Sequence, residues 1–435
     1  MELIDQILSA RNLTEACEEV TRNQGAGGVD RMSAKSLKPY LDENRGRLTA
    51  DIRSGSYYPQ PIRGKEIPKR NGKKRLLGIP TVVDRMLHQA TARILQNKYD
   101  FMFSSYSYGF RPHRNQHQAI GRALSYINAG YQYIVDIDLQ GFFDEVDHSI
   151  LLQILYRKVK CKVTLQLIRR WLRAPLLQDG KLTKRRKGVP QGSPLSPLLS
   201  NILLNELDVY MESKGLRFVR FADDFSIYCR TKQEARKVGN AVYLFLKHKL
   251  KLPINRDKSG VRRPVDFNIL GYGFVPTYIK GEKGKYQLVI DKSRWVTFKQ
   301  RIKEITRKTK PMSLIQRIKE LKEFYCGWLN YAKFASIICK LKKLDGWIRN
   351  RLRYCIWHDW KKPERKRKNL ILLGVCHGDA YAWSRTRKGG WAIAQSPILG
   401  TTITLEYLRK QGYKSLLEHY TKARPIYEKS LFPSV

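Results

Sequence analysis

Residues Tyr131 to Leu139 alternate at the two-residue period of a strand and carry Asp136 and Asp138 near their end. Further along, Leu216–Phe221 and Phe225–Cys229 flank Ala222-Asp223-Asp224, the pattern of a hairpin whose turn bears two more carboxylates. Residues two apart on a strand share a face, so alternation does not choose between Asp136 and Asp138. Either segment alone would suit a solvated turn or a helix cap. Acid concentrated at a tight strand turn is unfavourable unless something cationic neutralises it, and two divalent ions would. The chain is thereby constrained to bring separated strands together, which is an α+β arrangement.

These carboxylates are exceptions in a basic chain. The 435 residues hold 83 Lys+Arg against 38 Asp+Glu, a formal net charge of +45. With 42% hydrophobic and 11% aromatic residues the chain can still bury a core, which excludes a disordered basic tail. At roughly 150 residues per domain the length predicts two to four domains. Self-repulsion on this scale points to a polyanionic partner, nucleic acid first. A membrane surface is disfavoured, because no run approaches about 18 apolar residues and no lipidation motif occurs. The N-terminus has no basic leader, and seven scattered cysteines read as reduced thiols, so a cytoplasmic location is expected. Cys355 with His358, and Cys376 with His377, fit no familiar zinc spacing.

Along the chain, short helices are expected before residue 55, broken at the glycine loop 23–28. Extended structure should follow from Tyr57 to Pro80. Helices are predicted at 82–100, 115–128, 149–173, 198–213 and 231–250, with short strands near 261–275. After Pro276 the pattern turns helical: Ser313 and Gln316 form a capping-box signature, and Leu314, Ile318, Leu321, Tyr325, Trp328 and Ala332 mark one apolar face. The charge also divides. Residues 1–275 hold 47 basic and 26 acidic residues, whereas 276–435 hold 36 and 12.

Carboxylates from adjoining strands are what two-metal phosphoryl transfer requires, with the ions about 4 Å apart. Hard oxygen ligands suit Mg²⁺. Asp138-Leu-Gln-Gly-Phe-Phe143, Pro190-Gln-Gly-Ser-Pro-Leu-Ser-Pro197, Phe221-Ala-Asp-Asp224 and Asn255-Arg-Asp-Lys258 with Leu270-Gly271 resemble the ordered motifs of reverse transcriptases. Longer strings resemble the group II intron-encoded branch: Glu66-Ile-Pro-Lys69, Arg75-Leu-Leu-Gly-Ile-Pro80, Ser107-Tyr-Gly-Phe-Arg-Pro112, Ser193–Asn205 and Gly327-Trp-Leu-Asn-Tyr331.

The resemblance implies a right-hand polymerase: fingers and palm with an antiparallel sheet at 1–275 (N-terminal extension 1–55), a helical thumb or maturase domain at 276–360, and a basic DNA-binding extension at 361–435. It identifies Asp138, Asp223 and Asp224 as ligands of two Mg²⁺ ions, with Mn²⁺ as a substitute, and settles the choice against Asp136. Lys258 matches the basic residue near the leaving pyrophosphate, a general acid. Lys69 and Arg75 match the clamp on the triphosphate of an incoming dNTP, Gln191 and Gly192 the loop under its base and sugar, and Phe143 the steric gate against a ribose 2′-OH. Phe221 departs from the tyrosine common in relatives, keeping the ring and losing the hydroxyl.

Implied partners are intron RNA, an RNA template–DNA primer duplex, target DNA and dNTPs, with no membrane; the chain could act as monomer or homodimer. Nucleic-acid contacts are expected from Arg111, from Lys184, Arg185 and Arg186 in the run 181–187, from Arg349 and Arg353 opposite an aromatic stripe, and from Lys361 and Lys362. No HNH-type nuclease pattern with paired cysteines is present. Two other roles share these motifs: a relative recruited to DNA repair or phage defence, and a maturase that only binds RNA.

Overall fold

The alternation around Asp136 becomes a strand at the centre of a four-stranded antiparallel sheet. A computed structural model describes residues 2–68, 72, 74–278 and 284–431, the last seven as backbone. Strands are numbered in chain order: β1 Ile62–Pro68, β2 Lys74–Ile79, β3 Tyr133–Ile137, β4 Leu176–Gln178, β5 Lys181–Thr183, β6 Arg217–Phe221, β7 Asp224–Cys229, β8 Gly260–Arg262, β9 Asn268–Ile269, β10 Tyr272–Pro276 and β11 Tyr286–Ile290. The central sheet has the order β6-β7-β3-β8. In β3, Ile134, Val135 and Ile137 are buried while Asp136 is half-exposed. β7 is buried from Phe225 to Cys229, as suits a strand covered on both faces.

Helices Gln116–Asn128, Ser196–Ser213 and Lys232–Phe245 accompany this sheet. Ser196–Ser213 is the most deeply buried, and its Leu198, Leu199, Ile202, Leu203, Leu204 and Leu207 join a core that reaches the N-terminal helices through Met86, Leu87 and Ala90 of Val82–Tyr99. A second sheet, β2-β1-β4-β5, pairs β1 with β2 antiparallel and β1 with β4 parallel.

The chain divides into two compact units, Met1–Arg263 and Pro264–Val435. In the second, β11-β10-β9 form a small antiparallel sheet, followed by helices that include Lys292–Ile305, Leu314–Ala332 and Ile338–Asp359. Among the described residues no helix is long and apolar enough to cross a membrane.

Three local expectations need correction. The helix expected at 149–173 is two, His148–Tyr156 and Lys162–Arg173, because the chain turns between them to bury Val159. The helix at 231–250 ends at Phe245 and passes into a π-turn over Leu246–Leu250. The region after Pro276 is not wholly helical, since Tyr286–Ile290 pairs with β10 and buries Leu288 and Ile290. Ser313 Oγ does accept the Gln316 N–H at 3.2 Å, the cap expected for Leu314–Ala332.

Candidate active site

The register of the central sheet assembles the carboxylates. Ile137 pairs with Phe225, so Asp138 and Asp224, one step beyond, leave the same end of β3 and β7. On the other side Phe221 pairs with Asp224, closing a tight turn over Ala222 and Asp223. Ala222 sits at φ +60°, a conformation that favours glycine in such hairpin turns. Holding a residue with a Cβ there costs about 1–2 kcal/mol.

Asp136 and Asp138 have different partners. Arg262 Nε donates to Asp136 at 2.8 Å, which gives Asp136 a cation of its own on the neighbouring β8. Asp138 faces Lys258 Nζ at 3.3 Å, its N–H donates to Ser259 Oγ at 3.0 Å, and its carbonyl accepts the Asn255 N–H at 2.8 Å. The Asn255–Lys258 motif is thus wrapped around the end of β3.

Burial raises the Asp223 carboxyl above its ordinary value, and Asp138 adds to the shift. Asp224 reaches the surface, yet desolvation of its carboxylate, followed by the charges of Asp223, Asp138 and Asp136, pushes it up to about 6. Lys258 opposes that rise. Among the described residues no three His, Cys, Asp or Glu side chains already stand together as a chelate. The donor set nevertheless fits hard divalent cations: three carboxylates whose mutual repulsion is relieved by positive charge.

Arg75, whose charge acts on Asp223, leads to the loop from Pro190 to Leu195. Gly192 has φ +128°, and a Cβ there would lie 2.6 Å from the Gly78 carbonyl of β2. Gly78 N–H donates to the Gln191 carbonyl at 2.9 Å, so loop and strand are stitched together. Arg75 Nε donates to Gln191 Oε1 at 2.5 Å, and Gln191 Nε2 reaches the Asp144 carboxylate at 3.3 Å. Arg75, Gln191 and Gly192 are therefore one contiguous wall. Lys69 lies outside the described residues. Of the paired aromatics, Phe142 is in the core at 2% exposure, while Phe143 is half-buried and meets it edge-on at 5.4 Å.

Some supporting residues lie outside the site roles that the resemblance assigns. His88 Nδ1 lies 2.9 Å from Ser193 Oγ behind the loop, and burial lowers the imidazole to about 3, so it is neutral at pH 7. Arg220, Asp208 and Asn201 are fully buried behind the Ala222 turn. Asn201 and Asp208 stand seven apart, two turns along one face of their helix, and that spacing is their sequence signal.

The expected nucleic-acid contacts separate into two groups. Lys184, Arg186, Lys361 and Lys362 are exposed. Arg111 is turned inward, its side chain 5% exposed, with Nε on Asp100 at 2.9 Å and its other nitrogens on the carbonyls of Asp100, Ser104 and Ser107. It ties the Tyr108–Pro112 turn together and is not free to reach a phosphate. Arg185 is half-buried near Asp144, and Arg349 is half-buried. Arg353 donates to the Ile403 carbonyl at 2.9 Å and to Asn350 Oδ1 at 3.0 Å. Packing has recruited Arg111 and Arg353 as clamps.

Comparison with known proteins matches residues 67–274 to the family model "Reverse transcriptase (RNA-dependent DNA polymerase)" and residues 296–371 to "Group II intron, maturase-specific domain". The chain is 34% identical over 223 residues to the group II intron-encoded protein LtrA of Lactococcus lactis subsp. cremoris, covering 51% of this chain and 36% of that protein. It is 30% identical over 304 residues to protein YkfC of Escherichia coli (strain K12), covering 60% of this chain and 80% of that protein. It is 28% identical over 255 residues to nuclear intron maturase 1, mitochondrial, of Arabidopsis thaliana, covering 45% and 36%. The chain thus spans about a third of the length of LtrA and most of YkfC. With the carboxylates, the loop and the maturase-specific region in this order, the chain belongs to the reverse transcriptases of the group II intron-encoded, maturase-bearing family.

Proposed function

We propose that this protein is an RNA-directed DNA polymerase of a group II intron, which copies RNA into DNA and binds its intron RNA as a splicing cofactor. The observation that carries this reading is the meeting of Asp138, Asp223 and Asp224 at one end of the β3–β7 pair, beside the Arg75–Gln191–Gly192 wall. Asp138, Asp223 and Asp224 would hold two Mg²⁺ ions, or Mn²⁺ in their place. When bound, such ions supply charge stabilisation to the attacking 3′-hydroxyl and the leaving phosphate oxygen.

The chain's own groups supply the rest. Arg75, exposed on β2, and Lys69 meet the dNTP triphosphate with charge-assisted hydrogen bonds. Gln191 and Gly192 support the base and sugar, and the Phe143 ring excludes a 2′-hydroxyl. Lys258, which pairs with Asp138 when no ion is bound, delivers a proton to the departing pyrophosphate. In this reading residues 1–275 act as fingers and palm, 276–360 as thumb and maturase region, and 361–435 as a contact for target DNA. Lys184, Arg186, Lys361 and Lys362 meet nucleic-acid backbones.

Primer extension on an RNA template with dNTPs and Mg²⁺ tests the polymerase. Wild-type protein should extend a DNA primer, and Asp138→Ala and Asp223→Ala should each abolish extension. Retained wild-type activity in either variant would refute the metal assignment. Splicing of the cognate intron should survive both substitutions, since RNA binding rests on other surfaces.

A further inference from the structure

The Ala222–Asp223 turn depends on a buried network that none of the motif roles includes. Arg220 is fully buried, as is Asp208 on the helix Ser196–Ser213. Arg220 Nε donates to Asp208 Oδ1 at 2.8 Å and Nη2 to Oδ2 at 2.5 Å, a bidentate pair. Burial pushes the Asp208 carboxyl up, and the Arg220 guanidinium opposes that shift. The remaining nitrogen, Nη1, donates to the Ala222 carbonyl at 3.0 Å and to Asn201 Oδ1 at 2.9 Å. Asn201 Nδ2 in turn donates to the Gly109 carbonyl at 2.9 Å.

Gly109 closes the other side. A Cβ there would lie 2.2 Å from Ala222 N and 2.9 Å from the Phe221 carbonyl carbon, so its backbone lies flush against the turn. Arg220 N–H donates to the Tyr106 carbonyl and Tyr108 N–H to the Arg220 carbonyl, both at 2.9 Å, which anchors the Tyr106–Gly109 segment along β6. Arg220 Nη1 and the Gly109 backbone bear directly on the alanine held at φ +60°, and the other contacts hold those two in place. A two-residue turn in a strained conformation persists only when its surroundings over-determine it.

We propose that Arg220 is the positioning residue that locks the Ala222–Asp223 turn in its left-handed conformation, so that Asp223 and Asp224 are presented as a preformed pair to divalent cations. Asp208 fixes the guanidinium, Asn201 shares it, and Gly109 gives the turn a flat backing. This deepens the polymerase reading and rests on its metal assignment, while metal binding and the reaction are read out separately.

The test follows Mn²⁺ binding to the full-length protein by electron paramagnetic resonance, beside primer extension and thermal unfolding. Arg220→Lys keeps the charge but not the planar fork, and is expected to weaken Mn²⁺ binding about tenfold to a hundredfold, the usual consequence of losing a residue that orients ligands. Adding Ala222→Gly should restore most of that affinity, because glycine adopts positive φ without help. If Arg220→Lys does not unfold cooperatively, Asn201→Ala carries the same test, since it slackens the tethers and keeps the ion pair. Wild-type Mn²⁺ affinity in a folded Arg220→Lys protein would overturn the proposal. So would failure of Ala222→Gly to restore binding in a folded double variant, because a purely structural role for Arg220 predicts that result. Should the wild type bind Mn²⁺ but extend no primer, the polymerase reading falls and the positioning role stands. Should it extend primers while Arg220→Lys binds Mn²⁺ and extends equally well, only the positioning role falls.

Discussion

Lys258 Nζ lies 3.3 Å from Asp138 Oδ2, so the cation nearest the strand carboxylate is one the chain itself supplies. The Lys258 side chain is open to solvent and that of Asp138 is 35% exposed, and a pair this accessible is worth about 1 kcal/mol at most. On the proposed reading a divalent ion displaces the ammonium from Asp138 without a large penalty and frees it for the pyrophosphate.

Lys258→Ala should consequently change two quantities in opposite senses. The Mg²⁺ concentration for half-maximal primer extension should fall, which is a gain in apparent affinity, because a competitor for Asp138 is gone. The maximal rate should drop by roughly a hundredfold, the ordinary contribution of a positioned general acid. Mg²⁺ titrations of single-nucleotide incorporation measure both. A lower rate with an unchanged Mg²⁺ requirement would mean that the contact with Asp138 plays no part.

Asp224 yields a prediction on pH. In the folded chain desolvation and its neighbouring carboxylates raise it from 3.8 to about 6, so the folded state binds this proton more tightly than the unfolded state. Metal-free protein should then lose stability as pH rises from about 4 through about 6, and added Mg²⁺ should offset the loss. Asp224→Asn removes the titrating group. It should flatten that part of the pH dependence and shrink the rise in Tm that Mg²⁺ produces at pH 7. Thermal unfolding in EDTA and in Mg²⁺, at pH 5 and pH 7, compares them; identical profiles for the two proteins would contradict the assignment.

The carboxylate cluster is legible in the sequence because two local codes agree there: the period-two alternation of β3, and a turn between two apolar runs. The strand Tyr286–Ile290 is not, since five residues after a Lys- and Gly-rich stretch become a strand only by pairing with β10. Arg111 shows a different limit. A string such as Ser107–Pro112 names the residue but not the direction of its side chain, and that direction is set by Asp100 and three carbonyls supplied by the fold. The Arg220–Asp208 pair joins a strand to a helix, so neither partner announces the other. Asn201 and Asp208 on one helix face are the nearest thing to a clue.

Phe142 and Phe143 should separate cleanly, although they are adjacent and in edge contact. Phe142→Ala opens a cavity in the core and should destabilise the fold by about 3–5 kcal/mol. Phe143→Ala should lower Tm less than Phe142→Ala does, since its ring is only partly buried against the core, and raise NTP incorporation relative to dNTP by roughly tenfold to a hundredfold, since a steric exclusion is removed. Competition assays with paired dNTP and NTP substrates read the ratio. Unchanged discrimination would place the gate elsewhere.

The basic residues divide by the same reasoning into those exposed enough to bind and those that brace. Lys184 and Arg186 are exposed in the run 181–187, and nothing in their burial prevents contact with phosphates. Replacing both with Ala should lower the slope of log affinity against log salt by about 0.7 for each single-strand phosphate that is no longer neutralised, with Tm unchanged. Arg111→Ala should do the reverse. It strands Asp100 and three carbonyls around the turn that carries Gly109 behind Ala222. Unpaired buried acceptors cost about 1–3 kcal/mol each where water does not replace the donor. The protein should therefore melt several degrees earlier and lose polymerisation, while the salt slope of RNA binding measured below that melting point stays at the wild-type value. A lower slope with Tm intact would instead return Arg111 to the nucleic-acid surface.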